Sequence, residues 1–422
     1  MFSDQDNLEN TISRRKFLQR AGTAALVAGS SAPVIGGGPG TSETRAVSLG
    51  PVNTDKKLRM GVVGGGFGAS FSWHEHPNCE VTAVSDLRED RRKRLVEKFN
   101  CSNAYGEFHP MLKDPKVDAV AIFTGAPDHV PHCVDVMNAG KHAISAVPAA
   151  TTLEQCQKLV DTVKTTGQIY MMAETSCFHA PTMTAREWRQ QGKFGRIYYT
   201  EGEYLHNHGS YLLKGNASPE LMAMFVQDGK PTWRYGNAPG LYLTHASGPV
   251  IYVTGEKFTE VAALGTPFNH EFYKKNQYNN PFINITFLFK TSGGNSSRIA
   301  IHWWTAAPVR EGADYYGTEA CFFEPRFGQP AFVSYLNSNA QPYEVDDHSS
   351  VLPPSMRKRV GEGHGGAEVF IVNEFVSACL DGRKPAVDVY EAVAYTAPGL
   401  CGQESAMKSG AWIKVPDFGP VA

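Results

Sequence analysis

Leu58–Ala69 reads LRMGVVGGGFGA, and the 422-residue chain is best read outward from it. A short apolar run (Leu58, Met60, Val62, Val63) reads as a buried strand and breaks abruptly into glycines. Gly64, Gly66 and Ala69, with Phe67 and Gly68 between them, keep the G-x-G-x-x-G/A spacing of a dinucleotide-binding turn. The first glycine permits a tight strand-to-helix turn, the second lets the backbone approach a pyrophosphate, and the third small residue lets the following helix pack on the strand. The pyrophosphate would then rest at that helix's N-terminus, where the dipole favours negative charge. A second strand, Glu80–Ser85, runs into Asp86, about 20 residues on, where an acid reaches a ribose 2′-hydroxyl. Strand, glycines and acid together indicate a nicotinamide dinucleotide. Asp86 favours NAD, while Arg88 leaves NADP open, since a guanidinium can receive a 2′-phosphate.

Before this stretch, Ser13-Arg14-Arg15-Lys16-Phe17-Leu18-Gln19 precedes an Ala/Gly/Val-rich run and a Ser/Gly/Pro-rich tail. Residues 1–50 read as a twin-arginine export signal and flexible leader. The expected course is folding in the cytoplasm, capture by the twin-arginine export machinery and residence in the periplasm. A basic amphipathic helix fits less well, because the apolar part is built from small residues. That run is too short to span a bilayer, so no stable membrane anchor is expected. Forty Lys and Arg against 42 Asp and Glu leave a net charge of -2, without the basic face that nucleic acid requires. The eight cysteines show no C-x-x-C pair and no zinc-like spacing, so neither a disulfide framework nor a metal is predicted.

After the glycines, strands and helices alternate to about Ala173, the pattern of a doubly wound parallel sheet. Helix Glu89–Phe99 follows Asp86. Val117–Phe123 is a continuous apolar strand, as expected when both faces are covered. It ends in Thr124-Gly125-Ala126-Pro127-Asp128-His129, at the carboxyl end of a strand, where ligands bind in such sheets. Helices Val130–Asn138 and Leu153–Thr165 and strands Ala143–Ala146 and Ile169–Ala173 complete residues 55–175. Beyond Glu174 comes helix Thr182–Gln191, then long alternating strands at Arg196–His206, Phe258–Leu264, Phe282–Lys290, Arg298–Trp304 and Thr318–Glu324. These are predicted to form one large, mostly antiparallel sheet, joined by loops rich in Gly, Pro, His and Tyr and followed by helices Ala367–Leu380 and Tyr390–Ser409. The fold class is α/β: a Rossmann domain, then an α+β domain over residues 176–422 for substrate and oligomer contacts.

This layout resembles the Gfo/Idh/MocA family of glucose–fructose oxidoreductases and inositol dehydrogenases over nearly everything after the leader. The family's T-P-N-x-x-H-like loop and A-x-x-A-G-K-H turn are matched by Pro127-Asp128-His129-Val130-Pro131-His132 and Met137-Asn138-Ala139-Gly140-Lys141-His142. Its E-K-P loop over the nicotinamide reads Ala146-Val147-Pro148, with Val147 in the place of the catalytic lysine. Its D-x-x-x-H element falls at Leu241–His245, where the histidine is kept and the aspartate is not. Tyr242–Val250 (YLTHASGPV) and Gly363-His364-Gly365-Gly366 resemble a branch of exported, NAD-dependent glycosidases that share Y-x-T-H-x-x-G-P and G-H-G-G. That branch carries a tyrosine base after a cysteine, and the matching residue here is Phe178. Valine and phenylalanine neither donate nor accept a proton.

The resemblance implies NAD beside Thr124, Pro127, Asp128, His129, His132 and Pro148. It also implies a homo-oligomer and a carbohydrate or polyol substrate, for which Tyr204, His206 and His208 at the end of strand Arg196–His206, with Trp233, Arg234 and His364, are the candidate contacts. His245, in a Gly/Pro-rich loop, is the first candidate acid/base residue, since histidine titrates near working pH; packing in an aromatic loop is its alternative. Tyr242 is a candidate for the missing base or, with Tyr204, for a platform under a sugar ring. Glu174 either borders the nicotinamide or caps the next helix. Trp303-Trp304 reads as sheet core or dimer surface, and Met356–Arg359 as a solvated loop. The expected activity is NAD(P)-dependent oxidation of a ring hydroxyl on a sugar, polyol or glycoside, with His245 taking the proton. Redox-neutral glycoside cleavage by oxidation, elimination, addition and reduction is the alternative, and a non-catalytic sugar-binding relic is a third reading.

Overall fold

The computed structural model describes residues 54–207, 218–269, 274 and 276–421; the twin-arginine segment and His208 lie outside the described residues. β1 (Leu58–Val63), β2 (Cys79–Ser85), β3 (Ala104–Tyr105), β4 (Ala119–Ile122), β5 (His142–Ser145) and β6 (Tyr170–Met172) form a six-stranded sheet in the order β3-β2-β1-β4-β5-β6. Every pairing in it is parallel. β4 is buried throughout, so its four apolar residues meet helices on both faces. Helices α1 (Glu89–Phe99), α2 (His129–Asn138) and α3 (Leu153–Thr166) make the crossovers. The order reverses between β1 and β4, the switch point at which such sheets bind ligands.

The helix expected directly after β1 is absent. Two short 3₁₀ turns, Phe67–Ser70 and Trp73–Glu75, make that connection instead. Phe71 and Trp73 are both fully buried, Phe71 stacking on Phe123 at 4.5 Å and on Trp73 at 5.9 Å. Side chains two apart reach one side only from extended backbone, which excludes an α-helix here. A helix N-terminus is therefore not part of the glycine loop.

α4 (Ala180–Gln190) leads into β7 (Ile197–Leu205), the centre of a nine-stranded sheet. α5 (Pro219–Phe225) and a hairpin of β8 (Val226–Gln227) and β9 (Lys230–Pro231) follow. α6 (Thr244–Thr254) then precedes β10 (Phe258–Pro267), β11 (Phe282–Thr291), β12 (Ser296–His302), β13 (Arg310–Gly317), β14 (Ala320–Phe323), β15 (Ala331–Tyr335) and β16 (Gln341–Tyr343). α7 (Ala367–Asp381), α8 (Val389–Met407) and β17 (Ile413–Lys414) close the chain. The sheet order is β16-β15-β14-β13-β7-β12-β11-β10-β17, with β7 parallel to β12 and the other pairs antiparallel.

Several expectations are corrected. The predicted strand Thr318–Glu324 shortens to β14, and β13, β15 and β16 occupy stretches read as loop. The Gly/Pro-rich loop around His245 is α6, whose residues Thr244–Val253 are all buried. A helix covered on every side has no amphipathic stripe to betray it, and Gly248 and Pro249 disguise it further. α6 lies so close to β7 that a Cβ on Gly202 would sit 2.9 Å from the Ala246 carbonyl oxygen. Met356–Arg359 is no solvated loop: Met356 is fully buried and the Arg359 guanidinium pairs with Glu75. No helix among the described residues is long and apolar enough to cross a membrane, and the eight cysteines are free.

Candidate active site

Gly64 has φ +96°, and a Cβ there would lie 2.3 Å from the Phe123 carbonyl oxygen, so only glycine fits where β1 meets β4. A Cβ on Gly68 would strike the Phe123 ring at 2.9 Å, and Ala69 is buried. Over Gly66, by contrast, the nearest atom to a Cβ is the Arg91 guanidinium at 3.8 Å, which leaves that side of the loop open. Asp86 draws the loop together: its Oδ2 accepts the Gly65 N–H at 2.6 Å and its Oδ1 the Arg88 N–H at 2.8 Å. Each oxygen keeps a second lone pair for a ribose hydroxyl. The Arg88 guanidinium is engaged elsewhere, bidentate on Asp90 at 3.0 and 2.9 Å. These residues fit NAD.

Around the end of β4, the predicted cofactor residues divide into two groups. His129, almost wholly buried, sets Nδ1 2.8 Å from the Pro148 carbonyl and Nε2 3.2 Å from that of Thr124. Burial holds it below the usual histidine pKa despite those carbonyls, and the ring packs between the two loops that carry them. It is a brace for the cofactor loops. The Thr124 hydroxyl meets His132 Nδ1 at 3.2 Å, Pro127 opens a 3₁₀ turn, and Asp128 is exposed at its end. Val147 is half-buried and packs against the core. Trp233 covers Gly125, where a Cβ would lie 2.8 Å from the indole.

The second half of the site is a cluster of buried charges. Glu174, with no exposed surface, caps the 3₁₀ turn Thr175–Phe178 by accepting the Ser176 N–H at 3.1 Å. The same oxygen lies 2.9 Å from His245 Nδ1, so the carboxylate that caps this turn also pairs with that histidine. Ser176 Oγ donates to Glu311 Oε2 at 3.4 Å, and Glu311 Oε1 accepts from His206 Nε2 at 3.0 Å. Burial opposes the charge on His245, but Glu174 and then Glu311 outweigh it and raise its pKa to about 9. Burial likewise opposes the Glu311 charge, yet His206, His245 and His179 pull it down to about 2. The ring of Tyr204 stacks on His245 at 4.7 Å and on Tyr242 at 6.2 Å. The Tyr242 hydroxyl bonds the Arg234 guanidinium, which lies 4.4 Å over Trp233. Trp303 joins this group edge-on to Tyr242 at 5.5 Å.

A cavity of about 500 Å³ opens beside the cluster, lined among others by His179, Arg310, Glu311, Glu324, Arg326 and His364. His364 donates to Glu368 at 2.7 Å and sets its ring edge-on to Phe67 of the glycine loop at 5.3 Å. Phe178 is buried and faces Tyr252 at 6.2 Å. The structure thus brings Glu174, Tyr204, His206, Tyr242 and His245 together, and adds Ser176, His179 and Glu311, which sequence reasoning did not find. Of the three, only Ser176 and His179 carried a signal: they flank Cys177-Phe178 directly after Glu174.

Residues 58–174 match the family model for the oxidoreductase family with an NAD-binding Rossmann fold (Gfo/Idh/MocA), and residues 346–421 match that for the glycosyl hydrolase 109 C-terminal domain. A glycosyl hydrolase family 109 protein of Parabacteroides distasonis is 26% identical over 97% of this chain and 97% of its own. One of Solibacter usitatus is 26% identical over 96% and 97%. Levoglucosan dehydrogenase in complex with NADH superposes with a TM-score of 0.69 at 18% identity, covering 86% of this chain and 100% of its own. The scyllo-inositol dehydrogenase of Lactobacillus casei gives 0.65 at 17%, covering 86% and 99%. By sequence and fold together, this chain is an NAD-dependent enzyme with a Gfo/Idh/MocA-type Rossmann domain at residues 58–174 and a match to the glycosyl hydrolase 109 C-terminal domain at residues 346–421.

Proposed function

We propose that the enzyme oxidises a ring hydroxyl of a sugar, polyol or glycoside, after export as a folded holo-protein through the twin-arginine route to the periplasm, and that it works as a homo-oligomer. The carrying observation is the buried His245–Glu174 pair under the stacked rings of Tyr204 and Tyr242. Bound NAD supplies the oxidant. Stacked aromatic rings suit the apolar face of a sugar, and the Arg234 guanidinium and the Tyr242 hydroxyl supply polar contacts at its rim. With a pKa of about 9, His245 is a cation at neutral pH, so it donates a hydrogen bond to a substrate oxygen and steadies developing negative charge there. That role replaces the proton acceptor expected of it. His364, with its pKa raised by Glu368, links the cavity to the glycine loop.

A second reading is favoured by the match at residues 346–421: redox-neutral glycoside cleavage, in which the same oxidation is temporary. One experiment separates the two. Purified protein is denatured and its NAD(H) quantified; intact protein is then given nitrophenyl glycosides without cofactor, and free sugars and polyols with NAD. Net change in nicotinamide absorbance supports the dehydrogenase. Nitrophenol release without such change supports the glycosidase. Sugar binding with neither signal overturns both in favour of a relic. Export is tested by Arg14→Lys with Arg15→Lys, which should hold the chain in the cytoplasm, and assembly by light scattering.

A further inference from the structure

His245 already holds its proton, Val147 and Phe178 can take none, and the Tyr242 hydroxyl is bonded to Arg234 with its pKa raised by burial, so the chemistry above lacks a proton acceptor among these residues. The cavity wall provides one. His179 stands just ahead of α4, and its ring lines the cavity with Glu311 and His364. Among the described residues that ring makes no hydrogen bond to protein, unlike His245, His206, His129 and His364. Gly365 gives it room: a Cβ there would come within 3.4 Å of its Cδ2. The charges facing it come from each surrounding element: Glu311 on β13, Glu174 before the 3₁₀ turn, His245 on α6, and His364 in the glycine-rich loop. Burial outweighs the two carboxylates and keeps its pKa below the ordinary histidine value. Glu311 is the link between the two histidines, lining the cavity with His179 and lying 4.0 Å from His245 Nδ1. Two histidines in one site, one held charged and one held neutral, divide acid and base roles between them.

We propose that His179 is the general base of this site and takes the hydroxyl proton of the substrate during oxidation. The O–H bond breaks with its proton passing to a ring nitrogen of His179. The electron pair left on oxygen closes the carbonyl, and the pair of the adjacent C–H bond leaves with its hydrogen to reduce NAD to NADH. His245, held by Glu174, hydrogen-bonds the carbonyl oxygen as it forms. This assignment rests on the oxidative reading above.

The test uses the full-length holoenzyme, wild type and His179→Gln, with ¹⁵N-labelled histidine. In wild type one histidine signal, missing from the variant, should be neutral at neutral pH while that of His245 is protonated. On whichever sugar or nitrophenyl glycoside the wild type turns over, His179→Gln should lose about 100-fold in kcat with bound NAD unchanged. The acid limb of the pH profile should vanish, and added imidazole should restore turnover to His179→Ala. A His179 ring protonated at neutral pH overturns the base, as does His179→Gln turnover within about threefold of wild type. Wild type that holds no NAD and binds none overturns the oxidative reading and the base with it. NAD-loaded wild type that His179→Gln equals removes the base alone.

Discussion

The cofactor side and the charge cluster are built on opposite principles. The cofactor side is local: a turn after β1, an acid at the end of β2 and a loop after β4, joined by short bonds such as Gly65 N–H to Asp86. The cluster is assembled across the chain. Glu174 and His245 are 71 positions apart, Ser176 and Glu311 are 135, and His206 and Glu311 are 105. What places them is register. Glu311 on β13 stands opposite Tyr204 on β7, which puts both side chains on one face, and His206 follows two residues on. A turn can be recognised from spacing; a register must be folded to be seen. The cofactor side should therefore be sensitive to backbone shape, and the cluster to charge.

The sharpest way to break this comparison is Glu174→Gln. The amide keeps the shape, still accepts the Ser176 N–H, and removes the charge that holds the His245 proton. Burial then dominates and the His245 pKa falls below its ordinary value. Turnover at neutral pH should drop about 1000-fold, at the upper middle of the range for positioned acid–base groups. NAD content should be unchanged, since Glu174 does not touch the glycine loop. If cofactor is lost along with turnover, the two halves of the site do not act independently.

Gly64→Ala attacks the other half. Its φ of +96° strains any side chain, and a Cβ would overlap the Phe123 carbonyl oxygen at 2.3 Å. The loop must shift away from β4, weakening NAD by about 100-fold or more, equivalent to about 3 kcal/mol of misfit. Titration of the apo variant with NAD measures this. The histidine signals of the cluster should keep their wild-type pKa values.

The limits of sequence reading follow the same division. β4 was legible because a strand buried on both faces is apolar throughout, β1 and β2 because their apolar runs end in the glycines and in Asp86, and the large second sheet because most of its strands alternate. β13 was not, although it supplies Glu311: its inward positions include Arg310 and Asp314, which are buried because they pair with each other at 2.6 Å. A strand that buries an ion pair shows no hydrophobic alternation. α6 escaped for the reason that it is buried all round. Within the site, Glu174, Tyr204, His206, Tyr242 and His245 were each picked out singly, by residue type and motif. Their company could not be, because Ser176, His179 and Glu311 reach them only through the packing of α6 and β13 on β7. His129 shows the converse. It sits in a recognised cofactor motif, yet its ring is spent on the carbonyls of Pro148 and Thr124.

Stability against pH sharpens the contrast further, because the cluster pairs a strongly depressed carboxylate with a strongly raised histidine. Glu311 is depressed from 4.5 to about 2, so its contribution is complete above the unfolded value and is lost as pH falls toward 2. His245 is raised from 6.5 to about 9, so its contribution is complete below 6.5 and is lost as pH rises through 9. Between pH 4.5 and 6.5 the cluster should be fully stabilising. Glu311→Gln should flatten the acid limb by about 2 kcal/mol, reduced from the full linkage value because part of the carboxylate remains in solvent. Thermal melts from acid to alkaline pH decide it: an acid limb as steep in the variant as in wild type would assign acid sensitivity to other carboxylates.

The smallest expected effect lies at the rim of the cofactor side. Arg88 is two residues from Asp86, where it could meet a 2′-phosphate, but its guanidinium is held by Asp90 at 2.9 Å. Both side chains are largely exposed, so solvent and salt screen the pair and its hold is weak. Asp90→Ala should free Arg88 and raise the NADP-to-NAD selectivity ratio by no more than about fivefold. Asp86 remains, and its carboxylate repels a 2′-phosphate from the same spot. Competition between the two nucleotides for the apo protein, at low and high salt, reads this directly. A larger shift toward NADP would mean that Asp90, not Asp86, sets the preference, and that even the local half of the site depends on a contact its motif does not encode.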